Sequence, residues 1–469
     1  MMRLFTAGAL TLTMASVLLI AQVRDWPAER PPRPLEAHPV SFPPYEIKSL
    51  ANGMKVVVVR QDEQPVISLR MLVRAGAAQD PADRPGVATM VSSLLDQGTT
   101  TKSASQIADA IDYIGGVLGT GAGTDLSYVS AIVMKDSLDT GLDLMSDIVR
   151  NPAFSSEELD RQREQVQQGL TVSFEDPEFV ANIVAERLVF GFHPYGRPAN
   201  GTPDSLEKMT RDDLVRFHKT WFAPNNCLLA VVGDVTTERA MAGVERVFGP
   251  WARHEVPAIA QVEPPEPTRR VVVVDRPSAV QTEIRVGQLG IPRRNPDYLS
   301  LNLAVKILGG EGGNRLQGVL RSDRGLTYGA SADMDAYQRA GSIIAETDTR
   351  TETTAEALRL TIDEFYRIQR DAVGEGELSA AQAYLAGNFP LTIETPDAIA
   401  MQVLNSLFYE LDLKELETYR ERVTAVTSED IQRVARAYLR PGRLSIVLVG
   451  DAARFTKDLK GVGIDTFEV

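Results

Sequence analysis

The sequence predicts an α/β protein, an α+β sandwich of two homologous domains, each a mixed β-sheet covered by helices, the two facing each other across a cleft. Three observations predict it. A helix–proline–strand unit at residues 210–234 recurs at 427–451 without a gap, so that Pro224 falls on Pro441 and Gly233 on Gly450. The openings of the two halves match as strand pairs followed by a helix. A proline cluster between them, with Pro264, Pro265 and Pro267, has the composition of a linker.

Each copy of the repeated unit carries its own signals. Thr210 and Thr427 each precede an aspartate by three residues, Asp213 and Asp430, which is the spacing of a helix N-terminal capping box. Pro224 and Pro441 stop the helices, and the apolar runs that follow end in Gly233-Asp234 and Gly450-Asp451, as buried strands would. Residues 56–60 and 66–75 predict the first strand pair, and 271–275 and 281–288 its counterpart. Apolar residues at helical spacing follow each pair: Val87, Met90, Val91, Leu94 and Leu95, then Leu299, Leu303, Ile307 and Leu308. A repeat of roughly 215 residues is too long for a solenoid.

These signals divide the chain into a signal peptide or N-terminal anchor at 1–25, a Pro-rich tether at 26–44, an N-terminal domain at 45–256, a linker at 257–267 and a C-terminal domain at 268–469. Arg3 before an uncharged run from Leu4 predicts an exported chain, placed in a bacterial periplasm and either released or tethered to the membrane by this segment. A net charge of −14 excludes a nucleic-acid partner, which calls for a basic face. The single cysteine, Cys227, excludes an intrachain disulfide and, set in an apolar run, predicts a buried thiol.

The candidate functional pair is Arg321 and Tyr328. Gly325 lies between them and can take the positive φ that ends a helix and releases a strand. A guanidinium and a phenol converging on one point would suit a carbonyl or an oxyanion.

Two stretches make the resemblance specific. One is Leu308-Gly309-Gly310, Asn314-Arg315-Leu316, Leu320-Arg321 and Arg324-Gly325-Leu326-Thr327-Tyr328. The other is residues 72–88 with Leu95-Asp96-Gln97-Gly98-Thr99, joined by Gly115-Gly116, the run Phe192–Pro198 and Gly201-Thr202-Pro203. Together they resemble the pitrilysin/insulinase family of inverted-motif zinc peptidases, which includes mitochondrial processing peptidase, from Tyr45 to about Gly450. In that family a His-x-x-Glu-His run on the first helix supplies two zinc ligands and the glutamate that activates water, and a later glutamate completes the site. Here the three motif positions read Thr89, Ser92 and Ser93, and the third-ligand position falls near Gly169. The Arg/Tyr pair is intact.

The resemblance therefore implies a non-catalytic, substrate-binding subunit of an exported heterodimeric zinc metallopeptidase. It would hold no cofactor of its own, its partner would be a zinc-bearing homologue with His-x-x-Glu-His, and Arg321 and Tyr328 would act in trans on peptide substrates. Gly115, Gly116 and Gly119 are the expected substrate-binding positions on an edge strand. A scaffold of the kind the family contributes to a respiratory complex, or a peptide-binding, chaperone-like module, is the alternative, and the chain alone is expected to show no zinc peptidase activity.

Overall fold

The computed structural model describes residues 42–260, 262–310 and 313–469; the expected signal or anchor segment and most of the Pro-rich tether lie outside the described residues. Eleven strands are described: β1 (Tyr45–Ser49), β2 (Lys55–Arg60), β3 (Val66–Val73), β4 (Val117–Ala122), β5 (Ser127–Met134), β6 (Cys227–Gly233), β7 (Arg270–Asp275), β8 (Gln281–Gly290), β9 (Ala330–Ala336), β10 (Gly341–Arg350) and β11 (Ser445–Gly450). They form two sheets, ordered β1-β2-β6-β3-β5-β4 and β7-β11-β8-β10-β9. Without the extra edge strand β1, the two orders are the same arrangement of equivalent strands. Both sheets are mixed: β6 runs parallel to β2 and antiparallel to β3, as β11 does to β7 and β8.

The repeated unit folds as its signals require. Thr210 accepts the Asp213 N–H and Asp213 accepts the Thr210 N–H, closing the capping box of helix Arg211–Trp221; Thr427 and Asp430 do the same for helix Ser428–Tyr438. The glycine that ends β6 is fixed by close approach. A Cβ on Gly233 would lie 2.1 Å from the Val66 carbonyl oxygen, and its φ of +142° favours glycine as well.

One feature lies outside what the repeat predicts. The halves exchange a helix. Pro177–Phe190, from the first half, packs on β8 and β11 of the second sheet, and Pro396–Phe408, from the second half, packs on β3 and β6 of the first. Each sheet is thereby covered on both faces, and β6 and β11 are buried along their whole length, which is why both read as unbroken apolar runs. Ala181 and Ala185 pack on Val447 and Val449 at one exchange.

Arginines at equivalent strand positions hold both exchanged helices. Arg70 on β3 bonds both carboxylate oxygens of Asp397 at 3.1 Å, in the first turn of Pro396–Phe408, and Ser68 bonds the same carboxylate. Arg74 then donates to the Leu407 and Phe408 carbonyls at that helix's far end, closing its C-terminus. In the other half Arg285, 2% exposed, donates to Asn182 at 2.6 Å and pairs with Glu283, with Glu346 at 3.5 Å and Glu178 at 4.0 Å. Both helices begin with proline followed by an acid, Pro177-Glu178 and Pro396-Asp397.

Removing Asp397 strands the Arg70 guanidinium, whose side chain is only 12% exposed. Asp397→Ala is expected to destabilise by about 2 kcal/mol, while Arg70→Met with Asp397→Leu recovers most of the loss because no charge is left unpaired. Urea midpoints of the two singles and the double test this; an unchanged midpoint in Asp397→Ala would remove the clamp from the account of stability.

Candidate functional site

The helix Val87–Leu94 carries the first set of expected site residues. Its start is fixed by Asp80, 5% exposed, whose carboxylate accepts the backbone N–H groups of Gly86 at 2.7 Å and Ala88 at 2.8 Å. Arg197 donates to the Asp80 carbonyl, and Tyr195 of the same run donates its hydroxyl to Asp125 at 2.7 Å. His193 accepts the Tyr195 N–H on Nδ1 and bonds the Val262 carbonyl through Nε2, so this stretch secures both the helix start and the interdomain segment. Arg339 holds that segment from the other half through the Ile259 and Ala260 carbonyls. Burial raises the Asp80 carboxyl to about 7 against the pull of the helix N–H groups.

The folded chain therefore keeps a proton on Asp80 that the unfolded chain releases near pH ~3.9. Between those values the native state binds more protons than the unfolded one, so stability is expected to fall as pH rises from about 4 to 7, by at most about 1.4 kcal/mol per pH unit. Asp80→Asn should flatten that slope in urea unfolding measured across the window; an unchanged slope would show that Asp80 does not titrate there.

On the helix itself the three motif positions are hydroxyls engaged in or buried by the fold. Thr89 donates to the Ala199 carbonyl at 2.7 Å, Ser93 to the Met90 carbonyl at 3.1 Å, and Ser92 is fully buried with no partner for its Oγ. Gly169 lies exposed on helix Ser156–Ser173, which packs on Val87–Leu94. Zinc sites are built from imidazole, thiolate and carboxylate, and these four positions offer none of them; they do not fit the metal. Among the described residues no group of three or more His, Cys, Asp or Glu is placed to hold an ion. The remaining described histidines serve elsewhere: half-buried His218 bonds the Val149 carbonyl, with its imidazole lowered to about 4 by desolvation, and exposed His254 bonds the Thr220 carbonyl. Burial likewise pushes the Cys227 thiol up. Elemental analysis of the purified chain, dialysed against a weak chelator, is expected to find well under one zinc per molecule; near-unit zinc would overturn this.

The expected substrate strand, β4, is one of the two outer strands of the first sheet, paired only with β5 among the described residues. Gly115 takes φ +61° in the turn before it, Gly116 packs against Ile111 too closely for a side chain, and Gly119 lies opposite Ser130.

Arg321 and Tyr328 flank a tightly bonded turn. Arg321 sits in the π-helical segment Gln317–Asp323, Gly325 follows with φ +60°, and the N–H groups of Gly325 and Leu326 return to the Arg321 and Leu320 carbonyls. The strand starts at Ala330, two residues later than Tyr328, because residues 326–329 form the turn itself. Thr349 donates to the Leu326 carbonyl and Thr347 to the Gly329 carbonyl, each at 2.9 Å, and the Gln317 amide oxygen accepts the Ala330 N–H. Sequence reasoning missed these three anchors; Thr347 and Thr349 alternate along β10, a pattern that an ordinary half-buried strand shares. Tyr328 is 86% exposed, Arg321 is exposed, and neither side chain has a hydrogen-bond or ion-pair partner among the described residues. Residues 311 and 312 of the preceding glycine loop lie outside the described residues.

The chain matches two family models: Insulinase (Peptidase family M16) over residues 55–201, and Peptidase M16 inactive domain over residues 208–385. The crystal structure of a peptidase M16 inactive domain from Pseudomonas fluorescens superposes with a TM-score of 0.82 at 30% identity, covering 87% of this chain and 98% of that one. A protease from Helicobacter pylori shares the fold, with a TM-score of 0.81 at 21% identity over 87% of this chain and 99% of the other. An uncharacterized zinc protease of Mycobacterium tuberculosis is 27% identical over 415 residues, 87% of this chain and 94% of that protein.

Proposed function

Because the chain belongs to peptidase family M16, the pitrilysin/insulinase family, as one of its non-catalytic, peptidase-like members, we propose that it is the substrate-positioning subunit of an exported, two-chain zinc metallopeptidase. Its partner is a homologous chain with an intact His-x-x-Glu-His motif, and its substrates are peptides. The observation that carries the reading is the Arg321/Tyr328 turn: two donors exposed to solvent on a backbone fixed by Thr347, Thr349 and Gln317. A fixed backbone limits how far the two donors must reorganise to meet developing charge, and side chains kept for packing would be covered.

In this role Arg321 presents a charged donor to the scissile carbonyl oxygen as it becomes an oxyanion, and the Tyr328 hydroxyl presents a neutral one beside it. The metal chemistry belongs to the partner's ligand set. Peptide lies extended in the chamber between the chains, with the free edge of β4 available to pair with its backbone through bonds that tolerate many side chains.

Peptide hydrolysis by the reconstituted pair tests the proposal. Tyr328→Phe, which removes one hydroxyl and leaves the ring, is expected to lower turnover by about 10²–10³ with association unchanged. Arg321→Ala should lower turnover and raise KM, since it contributes to substrate binding too. Wild-type turnover from a double mutant that still assembles would leave this chain as a scaffold.

A further inference from the structure

The second half contains a cleft that the Arg321/Tyr328 site does not use. It has a volume of about 390 Å³, within the range of small-molecule sites, and opens among helices Tyr298–Gly309, Glu375–Asn388 and Pro396–Phe408 and the short helices that follow. Its walls divide into two chemistries.

One side is apolar, formed by Leu299, Leu385, Leu416 and Phe389, whose ring stacks on Tyr419 at 4.7 Å. The other gathers donors. The Arg293 guanidinium lies over the Tyr298 ring, its central carbon 3.8 Å from the centroid, and has no carboxylate partner among the described residues. Tyr298, Tyr409 and Tyr419 line the same cleft, and among the described residues no hydrogen bond occupies their hydroxyls. Burial is the main cause that raises the Tyr409 and Tyr419 phenols, and Arg293 works on both in the opposite sense, so the guanidinium and the phenols lie within electrostatic reach of one another.

The other charges around the cleft are committed. Arg294 pairs with Glu410 at 2.6 Å and Arg422 with Glu415 at 2.8 Å, and the two carboxylates that act on Tyr409 are bonded, Asp125 by Tyr195 and the Gln338 N–H and Asp335 by Tyr337. Arg293 is thus a cation with no ion pair among the described residues, beside neutral donors, in a chain whose net charge is −14.

We propose that this cleft is a binding site for a small monocarboxylate with an aromatic or branched apolar body. The carboxylate meets the Arg293 guanidinium and the hydroxyls of Tyr409 and Tyr419, and the body lies against Phe389 and the leucines. A guanidinium provides two parallel N–H donors for such a group, and phenols complete its lone pairs without adding charge that a monoanion could not balance. The same chemistry occurs in a free organic acid and in the C-terminal residue of a peptide. The site is separate from the Arg321/Tyr328 turn and does not depend on the role proposed for it.

Calorimetric titration of the purified full-length chain tests the proposal with four probes: 3-phenylpropionate, its amide, N-acetyl-alanyl-phenylalanine and the amide of that dipeptide. At least one carboxylate should bind, with its amide weaker by on the order of tenfold or more, the loss expected for one charge-assisted bond. Binding of the propionate alone identifies a free acid as ligand, and of the dipeptide alone a peptide C-terminus. Arg293→Gln should weaken binding by a similar factor, Arg293→Lys by less, and Tyr419→Phe by several-fold, each in protein whose thermal transition matches the parent. If Arg293→Gln does not fold, Tyr419→Phe decides. Equal affinity for acid and amide, binding unchanged by these substitutions, or no binding of any probe at millimolar concentration would overturn the proposal.

Discussion

The reciprocal exchange of two helices is the constraint on which the rest of the structure depends. Neither half closes its own core: Ser68 and Arg70 of the first sheet lie under Pro396–Phe408, and β8 and β11 of the second lie under Pro177–Phe190. Two buried or half-buried arginines, Arg70 and Arg285, sit on those faces and find their partners on the incoming helices. Leaving the Arg70 guanidinium unpaired there would cost about 2 kcal/mol, which favours one register of Pro396–Phe408 along its strand, while Arg285 keeps Glu283 and Glu346 of its own sheet and gains Asn182 from the incoming helix. The halves therefore fold as one unit, and the interdomain segment, held by His193 and Arg339 rather than hanging free, follows the surface of a body already joined elsewhere.

That rigidity reaches the candidate site. Arg321 and Tyr328 are exposed, and exposed side chains in a turn would normally sample many orientations at no cost. Here their backbone is fixed by threonine hydroxyls projecting from β10, a strand paired on both sides, with β8 and β9. The mobility left is that of the two side chains themselves, whose rotamer freedom is what a bound ligand would have to restrict.

Much of this was legible in the sequence and some was not, for physical reasons. The repeated units were visible because capping boxes, proline stops and Gly-Asp strand ends are local signals. Gly325 was visible because only a few residue types tolerate its φ. The exchange was invisible: Pro177–Phe190 carries apolar residues on several sides, so its periodicity marks no single face, and nothing local says which sheet it will meet. Arg70 and Arg285 looked like the polar positions of half-exposed strands, because a charge buried by a distant helix has the same pattern as one facing water. Asp80 escaped notice because it caps its helix from six residues before Gly86, beyond the spacing of a capping box. The Arg293 cleft escaped notice because Arg293 and Tyr298 are far in sequence from Tyr409 and Tyr419, and only the packing of helices brings them together.

The same geometry bears on why the turn has the residues it has. Tyrosine contributes to a fold by burying its ring, and Tyr328 at 86% exposure buries almost none of it. Arginine contributes through ion pairs or by laying its stem on apolar surface, and Arg321 has no ion pair among the described residues. The stability of the segment comes instead from Leu320 and Leu326, both buried, from the positive-φ glycine and from the threonine and glutamine bonds to its backbone. None of these requires a guanidinium at 321 or a phenol at 328. On the Val87–Leu94 helix the reverse holds: Thr89 and Ser93 spend their hydroxyls on carbonyls of their own chain, and Ser92 is sealed in the core. At the family's motif positions the first half spends its hydroxyls on its own fold, and the second half presents two donors outward at no structural benefit to itself, the asymmetry on which the proposed role rests.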